Sequence, residues 1–241
     1  MKLLVSVVNR NEAMESVEGG AHIIDVKNPK EGSLGANFPR VIKEIKGIIP
    51  ENIELSATIG DMPNLPGTAA LAALGAAVSG VRYVKVGLFG VKSLQDSITL
   101  LAEVVQAVKE YDNRLKIIAS GYADYKKIGC INPLKLPDIA CKANADGVLI
   151  DVKIKDVKSN LFNFFKINQL KDFVISAHSR NLLVALAGSL RKQDIESVYN
   201  LGADIIGFRG ALCTNTDRLN GKLEKEKVVE FVKEIHNITS N

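Results

Sequence analysis

The sequence predicts an α/β protein in which residues 1–241 form a single (β/α)8 TIM barrel. Short runs rich in valine and isoleucine recur along the chain, and amphipathic stretches separate them. This alternation is typical of βαβ units around a parallel sheet. The length of 241 residues suits one barrel, although two small domains would also fit it. The hydrophobic fraction of 46% and the charged fraction of 24% predict an ordinary buried core.

Eight strands and eight helices are predicted in strict alternation. The strands are LLVSVVN from Leu3, HIIDVKN from His22, IELSATIG from Ile53, YVKVGLFG from Tyr83, KIIASGY from Lys116, GVLIDVK from Gly147, LLVALAG from Leu182 and DIIGFRG from Asp204. The helices cover residues 11–18, 39–46, 68–78, 94–110, 134–143, 164–178, 192–200 and 225–236. Eight such units imply that the sheet closes on itself.

A doubly wound open sheet shows the same alternation and is the structural alternative. Such a sheet usually carries a glycine-rich turn after its first strand. Here the first strand ends in VNRNE at residues 8–12, which contains no glycine. The missing turn and the number of strands favour the barrel.

Composition also bears on the kind of partner and site. The cysteines and histidines are scattered without the spacing of a disulfide framework or a metal site, so we expect neither. These residues are Cys130, Cys141, Cys213, His22, His178 and His236. A net charge of +4 is spread along the chain, which predicts small anionic ligands rather than nucleic acid.

The N-terminal run MKLLVSVVNR is too short for a signal-peptide core, and no run approaches the length of a membrane span. We therefore expect a cytoplasmic protein that does not enter a membrane.

Two strands resemble each other and stand opposite in the predicted barrel. IIDVK at residues 23–27 and LIDVK at residues 149–153 are four βα units apart. Because side chains alternate along a strand, Asp25 shares a face with Lys27, and Asp151 shares a face with Lys153. Lys85 occupies the corresponding face of the fourth strand.

These charges are expected inside the barrel, near the carboxyl ends of the strands, where barrel active sites are built. The helix-facing layer is normally apolar, and an unpaired ion buried there costs several kcal/mol. Two alternatives are that the charges point outward, or that they form a purely structural cluster of salt bridges.

Converging lysines favour one class of chemistry. Mutual repulsion and partial burial lower the pKa of a lysine and free an amine that attacks carbonyl carbon. Asp25 and Asp151 would then orient the amine, shuttle protons or hold a second lysine charged. The residues alone leave open which lysine is the nucleophile.

Glycine-rich turns after the seventh and eighth strands predict a phosphate site. Gly188 and Ser189 leave one strand, and Gly207, Arg209 and Gly210 leave the other. Many barrels bind phosphate at this place through backbone N–H groups, and Arg209 would add a charge-assisted contact.

Two further segments have open interpretations. Residues 60–67 are expected to form a stiff loop that leads to Thr68 as a helix N-cap, and the small-residue helix behind it suits close packing or a subunit contact better than a lid. Residues 155–165 would cover the mouth as a long loop. Lys155 reaches the substrate if the sixth strand continues; otherwise Lys153 and Lys155 are surface lysines.

The stretch DVKNPKEGSLGA at residues 25–36, with YVKVG at 83–87 and LID at 149–151, resembles the (5-formylfuran-3-yl)methyl phosphate synthase family. This family is also called 4-(hydroxymethyl)-2-furancarboxaldehyde-phosphate synthase, and it serves methanofuran biosynthesis in methanogenic archaea. The similarity spans essentially the whole chain. It implies a barrel lyase that condenses two molecules of glyceraldehyde 3-phosphate and releases one phosphate and two waters.

By this resemblance Lys27 is the Schiff-base lysine and Lys85 transfers protons, with Asp25, Asp151 and Lys155 in support. The resemblance further implies a homo-oligomer and no cofactor, since no step is a redox step. Two alternatives stay open, another class I aldolase-like barrel on a sugar phosphate and a non-catalytic protein that binds phosphorylated metabolites.

Overall fold

Parallel strands form a closed barrel in the computed structural model, which describes residues 1–156 and 159–239. Each strand pairs with the next along the chain, and β1 pairs with β8 to complete the ring. The strands are β1 Lys2–Val7, β2 Ile23–Val26, β3 Glu54–Pro63, β4 Tyr83–Gly90, β5 Lys116–Tyr122, β6 Gly147–Asp151, β7 Leu183–Leu186 and β8 Ile205–Phe208. The predicted fold class is confirmed.

Helices surround this barrel, and all but the short helix Tyr125–Ile128 lie at the places that the sequence predicts. They are α1 Arg10–Glu18, α2 Pro39–Lys46, α3 Pro66–Ala77, α4 Leu94–Tyr111, α5 Tyr125–Ile128, α6 Leu136–Lys142, α7 Ile167–His178, α8 Ile195–Leu201 and α9 Lys225–Thr239. Within the described ranges, no helix is both long and apolar enough to cross a membrane.

The segment between β3 and α3 differs from its prediction. Residues 60–63 continue β3 instead of forming a loop, and Asp61 pairs in register with Gly87 of β4. A register shift lies between Thr58 and Asp61, where Gly60 adopts φ = 111°. Helix α3 then begins at Pro66 rather than after Thr68, because proline supplies helical φ at a first turn without needing its N–H. The extension carries Asp61 above the barrel mouth.

The two faces of each strand divide apolar from charged residues as predicted. Ile24, Val26, Val84 and Val86 are fully buried in the layer between strands and helices. Burying an aliphatic side chain of this size contributes about 1.5–3 kcal/mol, so this layer fixes which face points inward. A second apolar cluster lies inside the barrel, formed by Leu4, Ile23, Tyr83, Ile118, Leu149, Ala185 and Ile205. The interior charges lie farther along the strands, toward their carboxyl ends.

Candidate active site

A cavity of about 830 Å³ opens at the carboxyl ends of the strands. Nine of the ten predicted site residues line it: Lys27, Lys85, Asp151, Lys155, Gly188, Ser189, Gly207, Arg209 and Gly210. The tenth, Asp25, is fully buried and bonds to Lys85. One space therefore holds the predicted lysines and the predicted phosphate turns.

Lys85 and Asp25 form a buried ion pair inside the barrel. The Lys85 Nζ lies 2.7 Å from Oδ2 of Asp25, and their side chains are 4% and 0% exposed. The Ser6 hydroxyl donates to the same oxygen over 2.9 Å. Among the described residues, Oδ1 of Asp25 is buried without a hydrogen-bond partner. The pair thus keeps one carboxylate oxygen that can accept a further hydrogen bond.

Lys27 lies at the end of β2 in a different electrostatic setting. Its Nζ donates a hydrogen bond of 3.3 Å to the carbonyl oxygen of Ser33, and 6% of the residue is exposed. Burial lowers the pKa of Lys27 to about 7; Asp151 and Asp25 oppose this effect, whereas Lys85 and Lys155 add to it. A large fraction of Lys27 is therefore a neutral amine near neutral pH.

Asp151 ends β6 across the barrel and is surrounded by donors. Lys155 Nζ bonds to its Oδ1, and the Ser33 hydroxyl donates to Oδ2 over 3.1 Å. Burial alone raises the pKa of Asp151, but the attraction of Lys155 and Lys27 outweighs it and holds the pKa well below its usual range. Burial also lowers the pKa of Lys155, and Asp151 partly restores it. The sixth strand stops at Asp151, yet Lys155 still reaches the cavity by folding back.

The loop of residues 28–35, between β2 and α2, covers this group. Its Ser33 hydroxyl also donates to the carbonyl oxygen of Val152, and Leu34 N donates to Asp61. Gly32 has φ = +146°, and a Cβ there would lie 1.9 Å from Oδ2 of Asp61. Glycine is required because the loop both adopts a backbone conformation closed to other residues and presses on the acid. The close contacts of this loop thus account for the glycine at position 32.

The predicted phosphate turns have the expected backbone. Gly188 has φ = +112° and Ser189 has φ = +52°, and a Cβ on Gly188 would meet Val152 Cγ2 at 2.8 Å. Gly210 begins a single helical turn, Gly210–Leu212, after β8. These turns line the cavity without bulky side chains, as a backbone phosphate site requires. Their role in binding stays a prediction.

Arg209 occupies the predicted place but directs its charge elsewhere. Its Nη1 donates to Oε2 of Glu12 over 2.7 Å and to the carbonyl oxygen of Ser6 over 3.0 Å. Its Nε donates to the carbonyl oxygen of Arg218 over 2.8 Å. A direct contact between Arg209 and phosphate would compete with this buried network. The geometry favours a supporting role over the contact expected from the sequence.

Asp61 is a further carboxylate near the site, and it was not predicted from the sequence. Its carboxylate accepts hydrogen bonds from the Tyr122 hydroxyl and from Lys153 Nζ. Burial and the charge of Asp61 raise the pKa of Tyr122 well above its usual value. Lys153 therefore reaches the mouth, but it pairs with Asp61 rather than with Asp151. The sequence placed Asp61 in a loop, and the extension of β3 brings it here. Ser33, Glu12 and Arg218 were also missed, because their contacts at the site depend on the folded path of the chain and not on a local pattern.

Solved structures resemble the chain in fold. Phosphoribosyl anthranilate isomerase from Thermus thermophilus superimposes with a TM-score of 0.66 at 14% identity, covering 99% of this chain and 100% of that one. A KGPDC from Streptococcus mutans gives 0.64 at 12% identity, covering 98% of each chain. At these identities the similarity supports the barrel alone.

Sequence relatives give closer matches. The model of the 4-HFC-P synthase family matches residues 3–232. The (5-formylfuran-3-yl)methyl phosphate synthase of Methanopyrus kandleri is 50% identical over 94% of this chain and 95% of the relative. The proteins of the same name from Methanocaldococcus jannaschii and Archaeoglobus fulgidus are each 49% identical, over 96% and 98% of this chain and 98% and 100% of theirs. With a family model and near-complete relatives in agreement, this chain belongs to the 4-HFC-P synthase family.

Proposed function

We propose that this protein condenses two molecules of glyceraldehyde 3-phosphate into (5-formylfuran-3-yl)methyl phosphate, releasing one phosphate and two waters. The reaction proceeds through a Schiff base on Lys27 and serves methanofuran biosynthesis. The names of the relatives support the product. The cavity, with its cations and its glycine turns, suits a phosphorylated carbonyl compound.

The strongest support for an imine is the state of Lys27. A pKa of about 7 makes the amine abundant at neutral pH, where an ordinary lysine would be almost wholly an ammonium ion. Within the described part of the chain, the Nζ makes one hydrogen bond, the long bond to Ser33, so its lone pair can reach a carbonyl carbon in the cavity.

Attack by Lys27 on the aldehyde gives a carbinolamine, which loses water to form the imine. The protonated imine withdraws electrons from the adjacent carbon and makes its C–H bond acidic. Removal of that proton gives an enamine, which can expel phosphate from the neighbouring carbon or attack a second aldehyde. Ring closure and the loss of two waters complete the furan, and hydrolysis of the imine takes up the water that its formation released and frees Lys27.

Proton transfer and charge stabilisation fall to the two acid and lysine pairs. Lys85, held by Asp25 at 2.7 Å, is placed to protonate leaving hydroxyl groups. Asp151 remains a carboxylate near Lys27, and its low pKa makes it a weak base, so it is suited to orient the amine and stabilise the protonated imine, with Lys155 compensating its charge.

Trapping of the imine tests the proposal. Wild type, Lys27→Ala and the control Lys30→Ala are incubated with glyceraldehyde 3-phosphate and sodium borohydride, and adducts are located by peptide mass spectrometry. Lys30 is an exposed lysine on the same loop, so it controls for nonspecific modification. We expect an adduct on Lys27 in wild type and in Lys30→Ala, and no adduct on any lysine in Lys27→Ala.

Other outcomes distinguish the alternatives. An adduct on Lys85 would exchange the roles of the two lysines. An adduct on Lys27 without a new ultraviolet-absorbing product would indicate another Schiff-base enzyme acting on sugar phosphates. Binding of substrate without any reducible imine would favour a non-catalytic protein.

A further inference from the structure

Arg218 is a positively charged residue that lines the cavity and was not predicted from the sequence. It lies in the segment after β8, lines the same cavity as Lys27 and Lys155, and is partly buried. Its Cβ lies 3.6 Å from the place where a Cβ of Gly210 would stand, and its Nη2 donates to the carbonyl oxygen of Gly32 over 3.1 Å. The side chain therefore extends from the phosphate turn after β8 to the loop that covers Lys27.

The guanidinium and the nucleophile bind the backbone of the same loop. Arg218 donates to the carbonyl of Gly32, and Lys27 donates to the carbonyl of the next residue, Ser33. Both side chains also line the same cavity. The pKa of Arg218 falls because of burial, and Asp151 partly restores it, which agrees with a position deep in the mouth.

Four cations around the site have carboxylate partners. Lys85 pairs with Asp25, Lys153 with Asp61, Lys155 with Asp151, and Arg209 with Glu12. Across residues 1–156 and 159–239, no carboxylate lies within ion-pair distance of the Arg218 guanidinium. One of its five N–H groups is bonded to Gly32, which leaves donors for an anion. A guanidinium with parallel N–H groups free matches the geometry of a phosphate.

Arg209 holds the segment after β8 in place. Its Nε donates to the carbonyl oxygen of Arg218 over 2.8 Å, while its Nη1 is held by Glu12. Arg209, which was expected to bind phosphate, therefore fixes the backbone of Arg218.

We infer that Arg218 forms an anion subsite that holds the phosphate of the triose bound to Lys27, distinct from the glycine turns, which take the second triose phosphate. The inference rests on the proposed function, because a condensation of two phosphorylated substrates needs places for two phosphates. A cavity of about 830 Å³ lies toward the upper end of the range for ligand sites and has room for two three-carbon molecules.

The test compares trapping of a phosphorylated and an unphosphorylated aldehyde. Borohydride trapping on Lys27 is measured with glyceraldehyde 3-phosphate and with glyceraldehyde in wild type, Arg218→Gln, Arg218→Lys and the control Arg114→Gln. Arg114 has a side chain that is 79% exposed. Arg218→Gln is expected to lower the preference for the phosphate ester about 10- to 100-fold, as loss of a charge-assisted pair of hydrogen bonds should. Trapping of glyceraldehyde, which has no phosphate, falls much less than trapping of the ester, Arg218→Lys loses less, and Arg114→Gln behaves as wild type.

Equal loss with both aldehydes would overturn the inference, since Arg218 would then only brace the loop at Gly32. An unchanged preference in Arg218→Gln would overturn it as well. If wild type forms no adduct at all, the proposed function fails, and the subsite is judged by inorganic phosphate alone. Phosphate should then raise the melting temperature of wild type more than that of Arg218→Gln, with sodium chloride at equal ionic strength as control; equal shifts would reject the subsite.

Discussion

Lys27 illustrates how neighbouring charges adjust one amine. Burial disfavours the ammonium form, and Lys85 and Lys155 add repulsion, so the pKa falls. Asp151 and Asp25 act in the opposite direction and keep the fall moderate, to about 7. A pKa near the working pH leaves both an amine to attack and an ammonium to return protons.

The rate of imine trapping should therefore follow the amine fraction of Lys27. For a group with a pKa of about 7, the amine is scarce below that pH and dominant above it, so trapping rises through a midpoint near 7. Because Asp151 raises the pKa of Lys27, Asp151→Asn should move the midpoint to lower pH. Initial trapping rates between pH 5 and 9 measure both. A midpoint above 9 in wild type would contradict the proposed state of Lys27.

The same burial should cost stability. The pKa of Lys27 is lower in the folded chain than the usual 10.5, so the unfolded chain binds more protons between about pH 7 and 10.5. The penalty is fully present below about pH 7 and disappears as pH rises toward 10.5. Lys27→Met should consequently raise the free energy of unfolding by about 1–3 kcal/mol at pH 7, since loss of the attraction to Asp151 offsets part of the gain.

Denaturant unfolding of wild type and Lys27→Met at pH 7 and pH 10 checks this effect. The stabilisation should be larger at pH 7 than at pH 10. A variant that is less stable than wild type at pH 7 would show that Lys27 contributes to the core rather than straining it.

At the scale of elements, the loop of residues 28–35 connects the two halves of the site. Ser33 binds Lys27 through its carbonyl and Asp151 through its hydroxyl, which joins the end of β2 to the end of β6. Asp61, carried by the extension of β3, supports the loop through the N–H of Leu34. The arrangement depends on a strand extension, a loop and a facing strand together.

Gly32→Ala should disturb this loop without unfolding the barrel. The new Cβ would collide with Oδ2 of Asp61 and lie 2.8 Å from Lys153 Nζ, in a backbone conformation with φ = +146°. We expect trapping on Lys27 to fall at least about 10-fold, as displacement of a site by an ångström does, while the far-ultraviolet circular dichroism stays that of wild type.

Gly75→Ala is the matched control, because no atom lies within 4 Å of the added Cβ and the residue is inside α3. It should raise stability by about 0.5–1 kcal/mol, as alanine does in a helix, and leave trapping unchanged. If both variants trapped substrate as well as wild type, the loop would have no part in positioning Lys27.

Local rules account for the part of the site that the sequence predicted. Asp25, Lys27, Lys85 and Asp151 were placed correctly because the direction of a strand side chain depends only on its parity and on the apolar face opposite. Asp61 was missed because residues 60–63 contain glycine and proline, and their pairing with β4 depends on a distant strand. Which residues meet across the barrel depends on how the sheet closes and on the paths of the loops. A local sequence pattern does not carry this information.

Closure of the barrel brings the first and last βα units together, and Arg209 and Glu12 form an ion pair between them. Glu12 lies in the first turn of α1 after the first strand, and Arg209 follows the last strand, so their pair spans the seam between β1 and β8. Their side chains are 4% exposed for Arg209 and 10% for Glu12. The N–H of Val8 also donates to Glu12 over 2.9 Å, so loss of the carboxylate leaves both a buried guanidinium and a backbone group with weaker partners.

Glu12→Gln should therefore lower the free energy of unfolding by about 3 kcal/mol, the scale for breaking one side of a buried ion pair. Glu18→Gln is the control on the same helix, because Glu18 pairs with Lys225 at the surface, where the side chains are 52% and 40% exposed. Its effect should stay below about 1 kcal/mol. Urea unfolding of the three proteins gives the comparison. Equal losses in the two variants would mean that the seam gains nothing from its buried pair, and that pairing of β1 with β8 suffices to close the barrel.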